Sequence, residues 1–245
     1  MEVGRPEGKK SREESEVKVI GLTAEKVTNI KETLTLLGAK LKFKGEIENI
    51  RVDSPDGALG AAGLSARIRK YTETKEGETR IWYERTLKGK RAAVAGKKKK
   101  REYNSERFST YDEAARDLAA YSKVVLGINV EPLNELSLVR KSREQYVFAE
   151  EHGEIAGAEV VIDKLIAVSV GGEFVAGVTP IEEIPYFIEI ESSYGDERDD
   201  FNISKCAEKL DVDPRGELHD ASERELLEHY GFLPKSKRAR ATMRS

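Results

Sequence analysis

The whole chain holds one cysteine, Cys206. That excludes an internal disulfide and a cysteine-built metal site, and it points to a reducing compartment, so a cytoplasmic location is expected. Histidine is almost as scarce. His152, His219 and His229 show no metal-ligand spacing and read as surface or structural residues. No apolar run reaches the length of a membrane span, and the opening residues MEVGRPEGKKSREE lack the apolar stretch of a secretory signal, so no membrane partner is expected. There is no G-x-S-x-G and no Walker A sequence, which sets aside those nucleophile and P-loop classes. Gly171-Gly172 has no G-K-[ST] after it and reads as a turn. Excess positive charge is also missing: 42 Lys+Arg stand against 45 Asp+Glu, a net charge of −3. A general nucleic-acid binder would be strongly basic, so that partner is disfavoured, although locally basic segments leave it open.

Charge itself is abundant. Charged residues make up 36% of the 245 and hydrophobic residues 38%, so many charges need a solvated surface or a charged interior site. The length suits one large domain. Residues 1–12 read as a disordered tail, 13–232 as one domain, and 233–245 as a basic tail, solubilising or directed at an anionic partner. The run Gly96-Lys97-Lys98-Lys99-Lys100-Arg101 reads as an exposed loop tip, because like charges at that density repel.

Between the tails, short strands dominate. Alternating polar and apolar residues mark strands at 14–20, 46–53, 64–71, 79–88, 101–109, 136–148, 158–169 and 185–193. The spacing of Val27, Ile30, Leu34 and Leu37 predicts a helix over 24–37, with Thr23 as N-cap and Gly38 as stop. A second helix is expected over 111–126, ending at Gly127, and two shorter ones near 203–210 and 221–230. SPDGALGAAG reads as a turn. A sheet of about eight antiparallel strands does well to close, since closure removes its edges, and such a barrel can hold one small ligand.

Period-2 geometry sends alternate residues to one face. Glu14, Glu16 and Lys18 then share a face, as do Arg67 with Arg69, Glu84 with Thr86 and Lys88, Glu102 with Asn104 and Glu106, Lys141 with Arg143, and Glu189 with Glu191. Any one pair reads as solvated decoration. Together they describe paired cations and paired carboxylates on several strands, both cation pairs in apolar surroundings. Burying that many charges dry would cost several kcal/mol per ion, so an inward-facing set must stay wet or hold a polyanion. Guanidinium and ammonium groups suit phosphate oxygens, and carboxylates among them suit a hard cation bridging to phosphate.

The ordered motifs resemble the CYTH (triphosphate tunnel metalloenzyme) superfamily. Glu14-Ser15-Glu16-Val17-Lys18 is similar to its opening E-x-E-x-K, Leu64 to Arg69 to its "alRiR" strand, and Thr86-Leu87-Lys88-Gly89 to "TlKG". Arg101-Glu102 is similar to its acidic strand, Val139 to Tyr146 to "vrKxRxxy", Val161-Ile162-Asp163 to "iD", and Phe187 to Glu191 to the closing "fxEIE". The resemblance implies an α+β, mainly antiparallel fold: an eight-stranded closed β-barrel, the triphosphate tunnel, with helices packed outside. It implies Mg²⁺ or Mn²⁺ held by Glu14, Glu16, Glu102, Glu189 and Glu191, with Glu106 as the alternative to Glu102. It implies triphosphate bound by Lys18, Arg67, Arg69, Lys88, Lys141 and Arg143. Lys18 and Glu16 are the catalytic candidates, Lys18 orienting or deprotonating water if neighbouring positive charge depresses its pKa. Two departures bear on the substrate end: Asn49-Ile50-Arg51-Val52-Asp53 stands where the family often has "DxYyD", and residues 170–186 are longer than usual.

The expected activity is a metal-dependent triphosphatase acting on inorganic, nucleoside or thiamine triphosphate, a small-molecule substrate. A class IV adenylyl cyclase is the alternative; an SxxELL element at Ser222 to Leu227 is similar to one in some members, while the His-Phe element of some cyclases is absent. A polyphosphate or nucleotide sensor would keep the cations without needing the carboxylates. A homodimer is an open option. Trp82 and Tyr83 read first as packing residues, with contact to a base or thiazole ring as the other use.

Overall fold

The computed structural model describes residues 12–13, 15–89, 92–94, 97–99, 101–170, 173–174, 186–192, 198–213 and 228. In chain order the elements are β1 (Arg12–Glu13), β2 (Ser15–Leu22), α1 (Ala24–Leu36), β3 (Lys40–Asp53), α2 (Ala58–Ala61), β4 (Ser65–Lys75), β5 (Glu78–Lys88), β6 (Ala92–Val94), β7 (Lys97–Lys99) and β8 (Arg101–Asn104). Then come α3 (Tyr111–Leu126), β9 (Asn134–Val147), a 3-10 helix (Glu150–Ile155), β10 (Glu159–Val170), β11 (Glu173–Phe174), β12 (Tyr186–Ser192) and α4 (Arg198–Lys209). The expected tails, apart from Arg12 in β1, and nearly all of the expected 221–230 helix lie outside the described residues. Among those residues no helix is long and apolar enough to cross a membrane.

Local chemistry explains the helices. Thr23 caps α1, its hydroxyl accepting from the Lys26 N–H. Thr110 and Glu113 form a reciprocal capping box on α3, and Gly127 ends it in the left-handed region at φ 69°. The Asp53 carboxylate is buried and accepts from the N–H groups of Ser54, Leu59 and Gly60, folding the expected turn around the short α2. The lysine run is half of a small ribbon, β6 paired with β7, rather than a bare loop tip.

The principal sheet follows the order β1-β8-β5-β4-β3-β9-β10-β12-β2, with β11 added on β10, and every pairing is antiparallel. The expected closed eight-stranded barrel is corrected here. Among the described residues the ladders form an open path that begins at β1 and ends at β2, and no ladder joins those ends. Arg12–Glu13 pair with β8 and Ser15–Leu22 pair with β12, so the two ends of the path are neighbours along the chain but no hydrogen-bonded ladder links them. The result is a curled, open α+β sheet with helices on one side.

The apolar core lies between that sheet and its helices. Val27, Ile30 and Leu34 of α1 and Ile203, Cys206 and Ala207 of α4 pack on Val160, Ile162, Ile188 and Ile190. Burial pushes the Cys206 thiol up to about 12, as befits a packing residue. A second cluster joins Leu59 of α2 and Ala114 and Leu118 of α3 to Ile50, Val52, Ile68 and Leu87. Arg85 fastens α3 to the sheet: its Nε donates to Asp117 Oδ2 at 2.7 Å and its guanidinium lies over the Tyr121 ring. The opposite sheet face is left to the charged set.

Gly45 is required by close approach. A Cβ there would collide with the Thr72 carbonyl oxygen and sit 2.9 Å from the Phe43 ring. Gly45→Ala is expected to lower stability by about 1–3 kcal/mol, the usual cost of forcing atoms into a packed site. A fall in the urea unfolding midpoint at unchanged slope would show it.

Candidate functional site

Residues directly opposite one another in a ladder share a face. Glu16 lies opposite Glu191, and Lys18 opposite Glu189. Asp163 is opposite both Phe187 and Arg143, and Lys141 is opposite Ile47. Asn49 is opposite Arg69, Arg51 opposite Arg67, Arg69 opposite Glu84, and Lys88 opposite Glu102. The register therefore puts Glu16, Lys18, Arg67, Arg69, Lys88, Glu102, Lys141, Arg143, Glu189 and Glu191 on one face. Glu14 lies outside the described residues, as does the side chain of Glu102. Glu106 follows the end of β8 and is exposed, while the backbone of Glu102 lies within β8 opposite Lys88.

At the centre is Glu189. One carboxylate oxygen is 3.3 Å from Lys18 Nζ and the other 3.6 Å from Arg143 Nη2. Lys18 also reaches Glu16 Oε1 at 3.1 Å. Burial alone would raise the Glu189 pKa, but Lys18, Lys141, Arg143 and Lys88 hold it well below the usual carboxylate range. Lys88 belongs to β5, far along the sheet path from β12, so the sheet curls enough to bring it within electrostatic reach. Glu16 follows the same logic: burial and Glu189 push its pKa up, Lys18 and Lys88 pull it down, and the net shift is downward.

Lys18 keeps its proton. Burial favours the neutral amine, but Glu189 and Glu16 outweigh it and raise the pKa above its usual value. The condition for Lys18 as a general base, depression by neighbouring positive charge, is not met; an ammonium held between two carboxylates can donate and orient.

A third layer fixes the cations of β9. Asp163 is fully buried and takes both arms of Arg143, at 2.7 and 2.5 Å, together with Lys141 Nζ at 2.7 Å. Lys141 and Arg143 are themselves buried. Alternation does not single out Asp163: a lone carboxylate in the apolar Val161-Ile162-Asp163 stretch has no partner two residues away to mark it. Nor does it single out Arg51, which stands where the resemblance leads one to expect an aromatic residue. Arg69 is oriented by Asn49, its Nε donating to Oδ1 at 2.9 Å, and by Tyr71, whose hydroxyl accepts from Nη1 at 2.9 Å.

Among the described residues no group of three or more His, Cys, Asp or Glu side chains stands close enough to hold a metal. Glu16 and Glu191 nonetheless face each other across the β2–β12 ladder. Directly opposed like charges destabilise a sheet, and a hard divalent cation with oxygen ligands relieves that repulsion. The donor chemistry of the pair is that of a hard divalent cation's ligands, although Glu16 is engaged by Lys18. His152 packs against Phe148, and its Nδ1 lies 3.0 Å from the Ala149 carbonyl oxygen, a structural role; His219 and His229 lie outside the described residues.

Two outcomes follow for stability. Asp163→Asn would strand two buried cations and is expected to cost about 3–5 kcal/mol, measured by denaturant unfolding. The pH dependence follows from the signs. The Glu189 contribution is complete above its ordinary pKa of 4.5 and is lost as pH falls through the lower folded value. The Lys18 contribution is complete below its ordinary 10.5 and is lost as pH rises through the higher folded value. Melting temperature should therefore plateau between those limits, and Glu189→Gln should lower the plateau and flatten the acid limb.

No family model matches the chain, and no curated protein matches it. Solved structures do. One is a candidate adenylyl cyclase from Hippeastrum described as having a dominant triphosphatase activity, with TM-score 0.56 and 16% identity, covering 91% of this chain and 98% of that one. Another is a candidate adenylate cyclase from Vibrio parahaemolyticus, with TM-score 0.53 and 15% identity, covering 89% of this chain and 99% of that one. At such identities the likeness concerns architecture alone. In architecture, then, this chain shares the fold of those two proteins.

Proposed function

We propose that the protein is a metal-dependent triphosphatase that binds the phosphate chain of its substrate along the charged face of the sheet. The observation that carries this reading is the gathering of Lys18, Lys88, Lys141 and Arg143 around one ionised carboxylate, Glu189. Arg67 and Arg69 extend the same face by register. A set of ammonium and guanidinium groups from four strands matches a ligand with charge spread over several phosphate groups. The triphosphatase activity of the Hippeastrum protein of the same architecture supports it.

In this reading Arg67, Arg69, Lys88, Lys141 and Arg143 bind phosphate oxygens, and Asp163 holds the last two in place beforehand. Such pre-orientation matters because phosphoryl transfer depends mainly on positioning and electrostatic stabilisation. Lys18, fixed by Glu16 and Glu189, donates to the phosphoryl group or to the attacking water. Glu16 and Glu191, with Glu14 and Glu102, would hold Mg²⁺ or Mn²⁺. That ion supplies charge neutralisation at the phosphoryl oxygens and a more acidic water. The Glu16 side chain is 36% exposed, the most open of the described ion-paired carboxylates at the centre, and is the one an incoming cation can reach.

Phosphate release from inorganic triphosphate and from ATP, each with Mg²⁺, Mn²⁺ or EDTA, tests the reading. Release is expected only with metal. Arg67→Ala and Glu16→Gln should each cut kcat/KM roughly a hundredfold or more, the usual loss of an electrostatic stabilising group. Cyclic AMP from ATP without phosphate release would replace the hydrolase with a cyclase. Metal-independent binding without turnover would make the protein a sensor.

A further inference from the structure

Three aromatic rings sit on the charged face, outside both apolar cores. Phe43, Tyr71 and Trp82 belong to neither hydrophobic cluster. Tyr71 lies opposite Trp82 on one side and Ile47 on the other, in the cross-strand row that ends at Lys141. The next row holds Asn49, Arg69 and Glu84, with Arg69 opposite both of the others. Tyr83, beside Trp82 in the chain, points the other way and packs edge-on against Tyr111. The aromatic row thus runs alongside a candidate phosphate-binding arginine, and core packing does not account for it.

Register sets Arg69 directly opposite the carboxylate of Glu84. Opposite charges placed so attract each other, and a guanidinium closed on a carboxylate has less charge to offer an anion. The hydrogen bonds take another course. The Tyr71 hydroxyl accepts from Arg69 Nη1 at 2.9 Å and donates to Glu84 Oε2 at 3.3 Å, so it bridges the two. Arg69 Nε donates to Oδ1 of the buried Asn49 at 2.9 Å. Glu84 Oε1 accepts from the Trp82 indole N–H at 3.3 Å and lies 3.5 Å from Arg107 Nε. Two neutral oxygens orient the guanidinium, and the carboxylate opposite is engaged by Tyr71, Trp82 and Arg107. Asp163 treats Lys141 and Arg143 differently, pairing with both directly.

The bridge is rigid because its ring is. Tyr71 stacks on Trp82 with centroids 4.9 Å apart and planes 5° from parallel, and Phe43 meets both rings edge-on. Packing of this kind fixes where the phenol oxygen lies. Arg107 lies over the Trp82 ring, its guanidinium carbon 4.6 Å from the centroid.

We propose that Tyr71 is a positioning residue: its hydroxyl stands between Arg69 and Glu84, holding the guanidinium toward substrate phosphate instead of letting it close on the carboxylate. This rests on the phosphate-binding reading of Arg69 and adds to it the group that prepares that arginine. Removing the hydroxyl leaves Arg69 and Glu84 free to pair across the ladder, and removing the Glu84 charge as well abolishes that competing pair.

Calorimetric titration of the full-length protein with inorganic triphosphate, in EDTA to prevent turnover, tests this. Tyr71→Phe keeps the stacked ring and should weaken binding about tenfold, the loss of one charge-assisted hydrogen bond. Adding Glu84→Gln to Tyr71→Phe should restore most of that affinity, which a purely structural role for the tyrosine would not predict. In an Arg69→Ala background, Tyr71→Phe should cause no further loss. Unchanged binding in Tyr71→Phe, a loss that Glu84→Gln does not repair, or an equal loss without Arg69 would each overturn the proposal. Binding to the unaltered protein that disappears in Arg67→Ala would still uphold the phosphate site in those cases, and no binding to the unaltered protein would sink both.

Discussion

Asp163, buried completely, accepts hydrogen bonds from Arg143 and an ion pair from Lys141, and both of those cations are nearly as buried. Desolvating three charged groups in one place is costly, and mutual attraction offsets it only when geometry is good and remaining hydrogen-bonding capacity is used. The bidentate fork of Arg143 meets the first condition. The second is met by Glu189, which takes Arg143 on one oxygen and Lys18 on the other. The network then passes through Lys18 to Glu16, where it meets solvent. Charge inside this sheet is tolerable because it is balanced link by link from a dry end to a wet one.

That balance dictates where the apolar residues go. With one sheet face committed to ions, the core has to form on the other, and the helices have to supply its second layer. Hence α1 and α4 cover one stretch of the sheet and α2 and α3 another. Between them the outer surface of β3, β4 and β9 is covered by ion pairs instead: Glu48 holds Arg140 and Lys70, and Glu144 holds Lys31 and Lys44. Lys31 comes from α1, so one of these pairs also ties a helix to the sheet.

Much of this was legible from alternation. Period 2 is the strongest constraint a strand imposes, and it places Arg67 with Arg69, Lys141 with Arg143, and Glu189 with Glu191 before any contact is known. Helix ends were legible for the same local reason, since Thr23, Thr110 and Gly127 act within one turn. What alternation cannot supply is register. Asp163 stands alone among valines and isoleucines, and only the β9–β10 ladder sets it opposite Arg143. Arg51 gains meaning only opposite Arg67. Phe43 joins Tyr71 and Trp82 from a distant segment, across a gap kept open by Gly45. The expectation of a closed cylinder failed at the same level: closure is a statement about which edges bond, and among the described residues no ladder links β1 to β2, neighbours along the chain though they are.

The internal pairing also bears on selectivity among phosphates. Lys141, Arg143 and Lys18 are already engaged with Asp163, Glu189 and Glu16, so an incoming anion meets only a fraction of their charge. A ligand with one phosphate, touching one or two of these groups, gains little over the carboxylates it competes with. On the proposed reading a chain of phosphates would gain at each step along the face, from Lys18 and Arg143 to Arg69 and Arg67, its contacts adding while its ordering cost is met largely once. A divalent cation at Glu16 and Glu191 would shift the balance further, since it would relieve the repulsion between those carboxylates and compete with Lys18 for Glu16. The ammonium of Lys18 would then be released in part toward phosphate. If the face binds phosphate as proposed, the same bonds that stabilise it would set a threshold favouring long, highly charged phosphate chains over short ones.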